Sequence, residues 1–162
     1  MGFVLAACGS GSSSSSSGGG VTTQASQPKV GQSQRVPTGG TTLVITVRRV
    51  IFPLRNSGAE LTPGDQAAGV EVAVRNAGKR VYDSSSESDV ALSASGGGAA
   101  EPAFASRGPC KTSEIDFLKL VGPGESRSGC VTFDVPSGSK PSEVRFTPEQ
   151  RQALARTWLV AG

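Results

Sequence analysis

Three stretches of two-residue alternation constrain this chain more than anything else in it. Leu43, Ile45 and Val47 alternate with Val44, Thr46 and Arg48, and Val70, Val72 and Val74 with Glu71, Ala73 and Arg75. Val131, Phe133 and Val135 do the same with Cys130, Thr132 and Asp134. Successive side chains of an extended strand point to opposite faces, so each stretch reads as a strand with one face buried. A helix would scatter the same residues around its circumference. Val90 and Leu92 suggest another strand before Gly96-Gly97-Gly98, and Val144 and Phe146 one more after Pro141. Phe104 begins a shorter apolar segment, residues 115–121 are apolar on both faces, and Trp158-Leu159-Val160 forms a last apolar run.

Turn residues punctuate these runs. Asn76-Ala77-Gly78, Gly122-Pro123-Gly124 and Pro136 each close one. Roughly seven short strands separated by Gly/Pro turns indicate an all-β chain folded as a β-sandwich. Thr147-Pro148-Glu149-Gln150 reads as a helix start, with Thr147 as N-cap, Pro148 at the first helical position and Gln150 reaching back. The expectation is a short helix over residues 149–156, just before the last strand.

Ahead of this pattern the texture differs. Residues 9–20 are all Ser or Gly, and residues 21–40 stay polar, with Pro28, Pro37, Gly39 and Gly40. Such a segment cannot bury enough apolar surface to offset the entropy of ordering, so residues 8–40 read as a disordered Ser/Gly-rich tether. About 32 flexible residues have an r.m.s. span of roughly 30 Å. The division is then a short apolar segment at 1–7, the tether at 8–40 and one sandwich domain at 41–162.

The inventory of side chains narrows the chemistry. There is no histidine, so neither a Ser-His-Asp nor a Cys-His device can be built. Of Lys79, Lys111, Lys119 and Lys140, only Lys140 has a serine three residues before it, in the Gly-containing turn Ser137-Gly138-Ser139-Lys140, and that spacing alone assigns no Ser-Lys device. One Trp and one Tyr offer little platform for stacking sugars, and Trp158 reads as core packing near the closing strand. No enzyme is expected, and no catalytic residue, cofactor or metal ligand is assigned. Asp134 reads as a solvent-face residue capping a turn. The Asp83, Glu87 and Asp89 loop has some oxygen ligands that calcium uses, yet lacks the EF-hand pattern and reads first as a solvated turn.

The formal charge of +3 is mild, and sixteen bases against thirteen acids suggest no cationic stripe. Arg48 and Arg49, adjacent on a strand, are expected to point to opposite faces. Nucleic-acid binding is therefore not expected. An anionic membrane or wall polymer stays open as a partner, and the domain is expected to be a monomer.

Leu5-Ala6-Ala7-Cys8-Gly9 resembles the lipobox of bacterial lipoproteins. In that family the signal is cut before the cysteine, whose sulfur carries a diacylglyceryl anchor. The resemblance implies lipid attachment at Cys8, with the domain on the extracytoplasmic face of the membrane. Residues 1–7 contain no Lys or Arg and only 3–7 are continuously apolar, shorter than the roughly 7–15 of an export signal. A start upstream of Met1 is the corresponding expectation. With Cys8 assigned to lipid, Cys110 and Cys130 remain as a disulfide pair suited to an oxidising compartment.

A wider resemblance follows from the order of motifs. Gly69-Val70-Glu71-Val72-Ala73-Val74-Arg75-Asn76, then Gly122-Pro123-Gly124-Glu125, then Gly129-Cys130-Val131-Thr132-Phe133-Asp134-Val135-Pro136 look like the uncharacterised telokin-like, immunoglobulin-like domain of Gram-positive, actinobacterial-type lipoproteins. That resemblance implies a secreted immunoglobulin-like sandwich and brings no catalytic residues. The expected function is an anchored interaction module whose partner is an envelope protein or wall polymer. The alternatives are an accessory envelope protein without its own ligand, or a receptor domain for a small molecule or metal.

Overall fold

The computed structural model describes residues 27–111 and 117–161. Eight strands follow one another: β1 (Ser33–Pro37), β2 (Thr42–Ile51), β3 (Gln66–Asn76), β4 (Val90–Ala94), β5 (Ala99–Ala103), β6 (Ser126–Val135), β7 (Pro141–Phe146) and β8 (Arg156–Leu159). Every strand pairs antiparallel with its neighbours, in the order β1-β2-β3-β6-β5-β4-β7-β8. The hydrogen-bonded ribbon folds over on itself as a sandwich. One layer is β1-β2-β3-β6, the other is β4-β7-β8, and β5 pairs with both β6 and β4 to turn the corner.

The alternating residues do what their period requires. Leu43, Ile45, Val47, Val70, Val72, Val74, Val131, Phe133 and Val135 are all buried in one core. They meet Val90, Leu92, Val144, Phe146 and Trp158 from the second layer. Each such aliphatic side chain contributes about 1.5–3 kcal/mol by leaving water. Trp158 is fully buried, and its indole Nε1 donates to the Gln32 carbonyl at 2.8 Å. It is a packing residue whose one polar atom is satisfied.

That hydrogen bond exposes a correction. Residues 27–40, read from sequence as part of the tether, are folded. Residues 28–30 pair with β8, Val30 N donating to Leu159 O and Leu159 N to Pro28 O. After Gly31 the chain crosses to the other layer, where Ser33–Pro37 pairs with β2. The segment therefore links β8 to β2 and covers the open side of the sandwich. Only Val36 of β1 is fully buried. An edge strand gains most of its stability from backbone pairing, so its polar side chains hide it from a hydropathy reading. The rest of the expected tether, and Cys8, lie outside the described residues.

The helix expected over 149–156 is absent too. Two single 3-10 turns, Pro148–Gln150 and Gln152–Leu154, take its place, and Thr147 makes no side-chain cap. Glu149 and Gln150 both take left-handed backbone angles, which interrupt a right-handed helix. Asp89 holds the segment from outside, its carbonyl accepting the Thr147 N–H at 2.7 Å and its carboxylate the Glu149 N–H at 3.3 Å. Asp89 closes a one-turn helix, α1 (Ser86–Asp89), that carries no hydrophobic signature in the sequence. Residues 117–120 form a turn, with Phe117 and Leu118 buried, where the apolar run had suggested an extended segment.

Asn76, at the end of β3, ties the top of the sandwich together. Its Oδ1 accepts from the Thr41 hydroxyl and from Gly78 N (3.0 Å), and its Nδ2 donates to the carbonyls of Arg80 (2.7 Å) and Val121 (2.9 Å). The side chain is fully buried. Four partners satisfy an amide that would otherwise cost about 1–3 kcal/mol to bury.

Candidate functional site

Each layer has an inner and an outer face, and the outer face of β1-β2-β3-β6 is treated differently at its two ends. At one end loops cover it. Leu54, Ala67, Cys110 and Cys130 form a second, small core there, outside the sandwich. Asp134, half-buried on this outer face, accepts the Thr62 N–H at 2.8 Å and so pins the loop between β2 and β3 onto β6. It fastens a neighbouring loop and does not cap its own turn.

The Cys110–Cys130 disulfide, with a Cα–Cα distance of 4.8 Å, fastens the loop after β5 onto the same strand. Gly69 of β3 makes room for it. A Cβ at Gly69 would lie 2.5 Å from Cys110 Sγ and 3.3 Å from Cys130 Sγ, so only glycine lets the sulfurs rest on the sheet. A bridge separated by 20 residues contributes about 3 kcal/mol in the chain-entropy picture. Its structural effect is to set Pro109 beside β6.

Beyond the disulfide the outer face is uncovered, and its residues follow from register. Arg35, Val44, Arg75 and Ser126 stand in one row across β1, β2, β3 and β6. Ser33, Thr46, Ala73 and Ser128 make the next, where the Ser33 and Thr46 hydroxyls meet at 2.7 Å. A β-bulge follows, since Val47 faces Val72 while Arg49 faces Glu71, leaving Arg48 as the extra residue. The alternation expected of adjacent strand residues is broken at this point. Arg48 and Arg49 are both exposed on the outer side, against the expectation that they point apart.

Two shallow depressions adjoin here and share Arg48 and Ser128. One, of about 310 Å³, runs along Val44, Thr46, Ala73, Arg75 and Ser126. The other, of about 190 Å³, continues to Glu71, Cys130 and Pro109, so the disulfide-held loop is its end wall. Arg49 is engaged, donating to Glu71 at 2.6 Å, a bond that raises its pKa. Arg127 at the edge donates to Glu125 at 2.7 Å, and this bond holds the Glu125 carboxyl below its usual range. Arg35, Arg48 and Arg75 make no ion pair among the described residues, although Arg48 and Glu71 line the same depression. These three arginines stand close together on one face, in register across β1, β2 and β3.

Sequence reasoning missed this grouping. Arg35 lay in the supposed tether, the bulge is invisible in the pattern, and only register places Arg35 and Arg75 on either side of Val44. The acidic loop singled out as a calcium candidate disperses. Asp83 accepts from Leu120 N at 3.1 Å, whereas Asp89 turns inward to accept the Tyr82 hydroxyl. Both members of that pair are buried, and burial raises the pKa of Asp89 and of Tyr82. Among the described residues no group of three or more Asp, Glu, His or Cys could hold a metal ion. No described helix is long and apolar enough to cross a membrane.

The fold has known counterparts. The crystal structure of MPT63, a secreted protein of Mycobacterium tuberculosis, is similar with a TM-score of 0.57 and 16% identity, over 82% of this chain and 95% of that one. A candidate lipoprotein of Bacillus subtilis, ycdA, gives 0.61 and 19%, over 84% of this chain but only 39% of its own. The yjhA protein of the same organism gives 0.54 and 17%, over 83% and 98%. At such identities the likeness establishes the immunoglobulin-like sandwich and nothing finer. None of the curated proteins matches the chain significantly. Residues 29–153 match a family profile that begins within four residues of β1 and spans all the strands but the last, and the chain belongs to the family described as Domain of unknown function (DUF4352).

Proposed function

We infer that this protein is an extracytoplasmic lipoprotein, anchored through Cys8, whose sandwich is an interaction module that recognises its partner with the uncovered outer face of β1-β2-β3-β6. The observation that carries the reading is the grouping of Arg35, Arg48 and Arg75 on that face, beside a loop fixed by a disulfide. A domain serving only as a spacer has no need of either. A disulfide fits an oxidising compartment, and the lipobox-like Leu5-Ala6-Ala7-Cys8 fits anchoring. The secreted MPT63 and the candidate lipoprotein ycdA are proteins of the same fold described in those terms.

The test uses the full chain in intact cells, with a photo-crosslinking residue at Thr46 in one strain and at Ala91, exposed on β4 in the opposite layer, in another. Adducts are expected from Thr46 only, in the membrane fraction, and Cys8→Ser should shift the protein out of that fraction. Adducts from Ala91 alone, or membrane retention of Cys8→Ser, would contradict the reading.

A further inference from the structure

We propose that the arginine-lined trough binds a linear polyanion in which phosphodiesters join polyol units; the inference rests on the interaction-module reading and names its partner. Three features of the face select this chemistry. The first is valence. Arg35, Arg48 and Arg75 are all exposed, and one exposed ion pair in water is worth next to nothing. A single small anion would leave as readily as it came. A polymer that meets all three at once converts the later contacts into intramolecular ones and gains from each released counterion.

The second is spacing and shape. Arg35 and Arg75 flank β2, so their backbones stand about two strand spacings apart, roughly 9.6 Å. Arg48 lies four residues along β2 from the row that holds them, roughly 13 Å away. The two depressions run past Arg48 toward the disulfide-held wall at Pro109. An open trough with charges at such intervals suits a flexible chain laid along it better than a compact ligand.

The third is the nature of the donors. All the free cations here are arginines, whose forked guanidinium pairs with two oxygens at once. Between them stand hydroxyls: Ser33 and Thr46 share one hydrogen bond, which leaves the second hydroxyl proton of the pair to donate outward, and Ser126 and Ser128 are exposed. A tetrahedral phosphodiester turns its oxygens in several directions and can accept from an arginine and a hydroxyl together. Polyol hydroxyls can exchange hydrogen bonds with the same Ser and Thr side chains. No large apolar side chain projects from these rows to enter a bilayer.

The experiment is a titration of the full chain, kept unlipidated by Cys8→Ser, with a poly(glycerol phosphate) chain over a series of salt concentrations. Arg48→Gln/Arg75→Gln should weaken binding about 10-fold or more at low salt. It should also cut the slope of log Kd against log salt by about 1.4, at roughly 0.7 per charge for a single-stranded polyanion. Lys140→Gln/Arg145→Gln, the same charge change away from the trough, should stay within about twofold of the parent. Equal losses in the two double variants would overturn the proposal. So would absence of binding by the parent, or equally tight, arginine-dependent binding of a polyuronate, of single-stranded DNA or of phosphatidylglycerol vesicles. If the polymer fails while Thr46 still crosslinks a protein in cells, the partner class is wrong and the module reading survives.

Discussion

Asn76 and Asp89 show how single polar residues decide this architecture. Both are buried, and both hold together segments distant in sequence: Asn76 joins Thr41, Arg80 and Val121, while Asp89 joins Tyr82 to the 147–149 segment. Neither role is visible from composition, because a buried Asn or Asp looks like any other turn residue. The alternating valines, by contrast, declare their own burial. Asp89 has a consequence for pH. Burial raises its folded-state pKa above the ordinary value of 3.8, so the folded state holds this proton more tightly than the unfolded chain. The associated stability is present below the unfolded pKa and is lost as pH rises through the folded pKa. Asp89→Asn keeps an acceptor for Tyr82 and removes the titration. The melting temperature of the parent should therefore fall relative to that of the variant as pH is raised from 4 toward 8. A constant difference across that range would mean that Asp89 does not titrate this way.

Elements differ in how openly the sequence announces them. β2, β3 and β6 carry alternation over long runs, and burial follows it except at the Arg48 bulge and where loops also bury the outer face, at residues 67–70 and 130–133. β5 contains Pro102 and small residues, and it is recognisable only through its partners β4 and β6. β1 is the instructive case. Gln34 and Arg35 mark it as polar chain, yet Gln34 Nε2 reaches the Thr157 carbonyl at 3.1 Å and Val36 enters the core. Deleting residues 27–40 removes the lateral partner of β2, the acceptor of the Trp158 indole and one buried valine. A loss of several kcal/mol, or about 10 °C or more in melting temperature, is expected in a scan of the full chain against the deletion. A change under about 2 °C would restore these residues to the tether. The bulge at Arg48 belongs to the same scale, since one unpaired residue puts two arginines on a face where alternation allows one.

For the whole molecule, the lesson is that architecture and recognition are encoded at different depths. The sandwich was legible because hydrophobic period and turn residues are local. The arginine face was not, because it is made of residues from β1, β2, β3 and β6 that converge only through register, and of a wall set by Cys110 and Cys130. The family and the fold relatives fix what kind of domain this is, and the position of charge on it supplies the functional argument. The most direct test is to map the titration with poly(glycerol phosphate) by backbone amide chemical shifts of the unlipidated full chain. The account predicts shifts grouped at Ser33, Thr46, Arg48, Ala73 and Ser128, with β4, β7 and β8 silent. Shifts concentrated on β4-β7-β8, with the β1-β2-β3-β6 face unmoved, would contradict it.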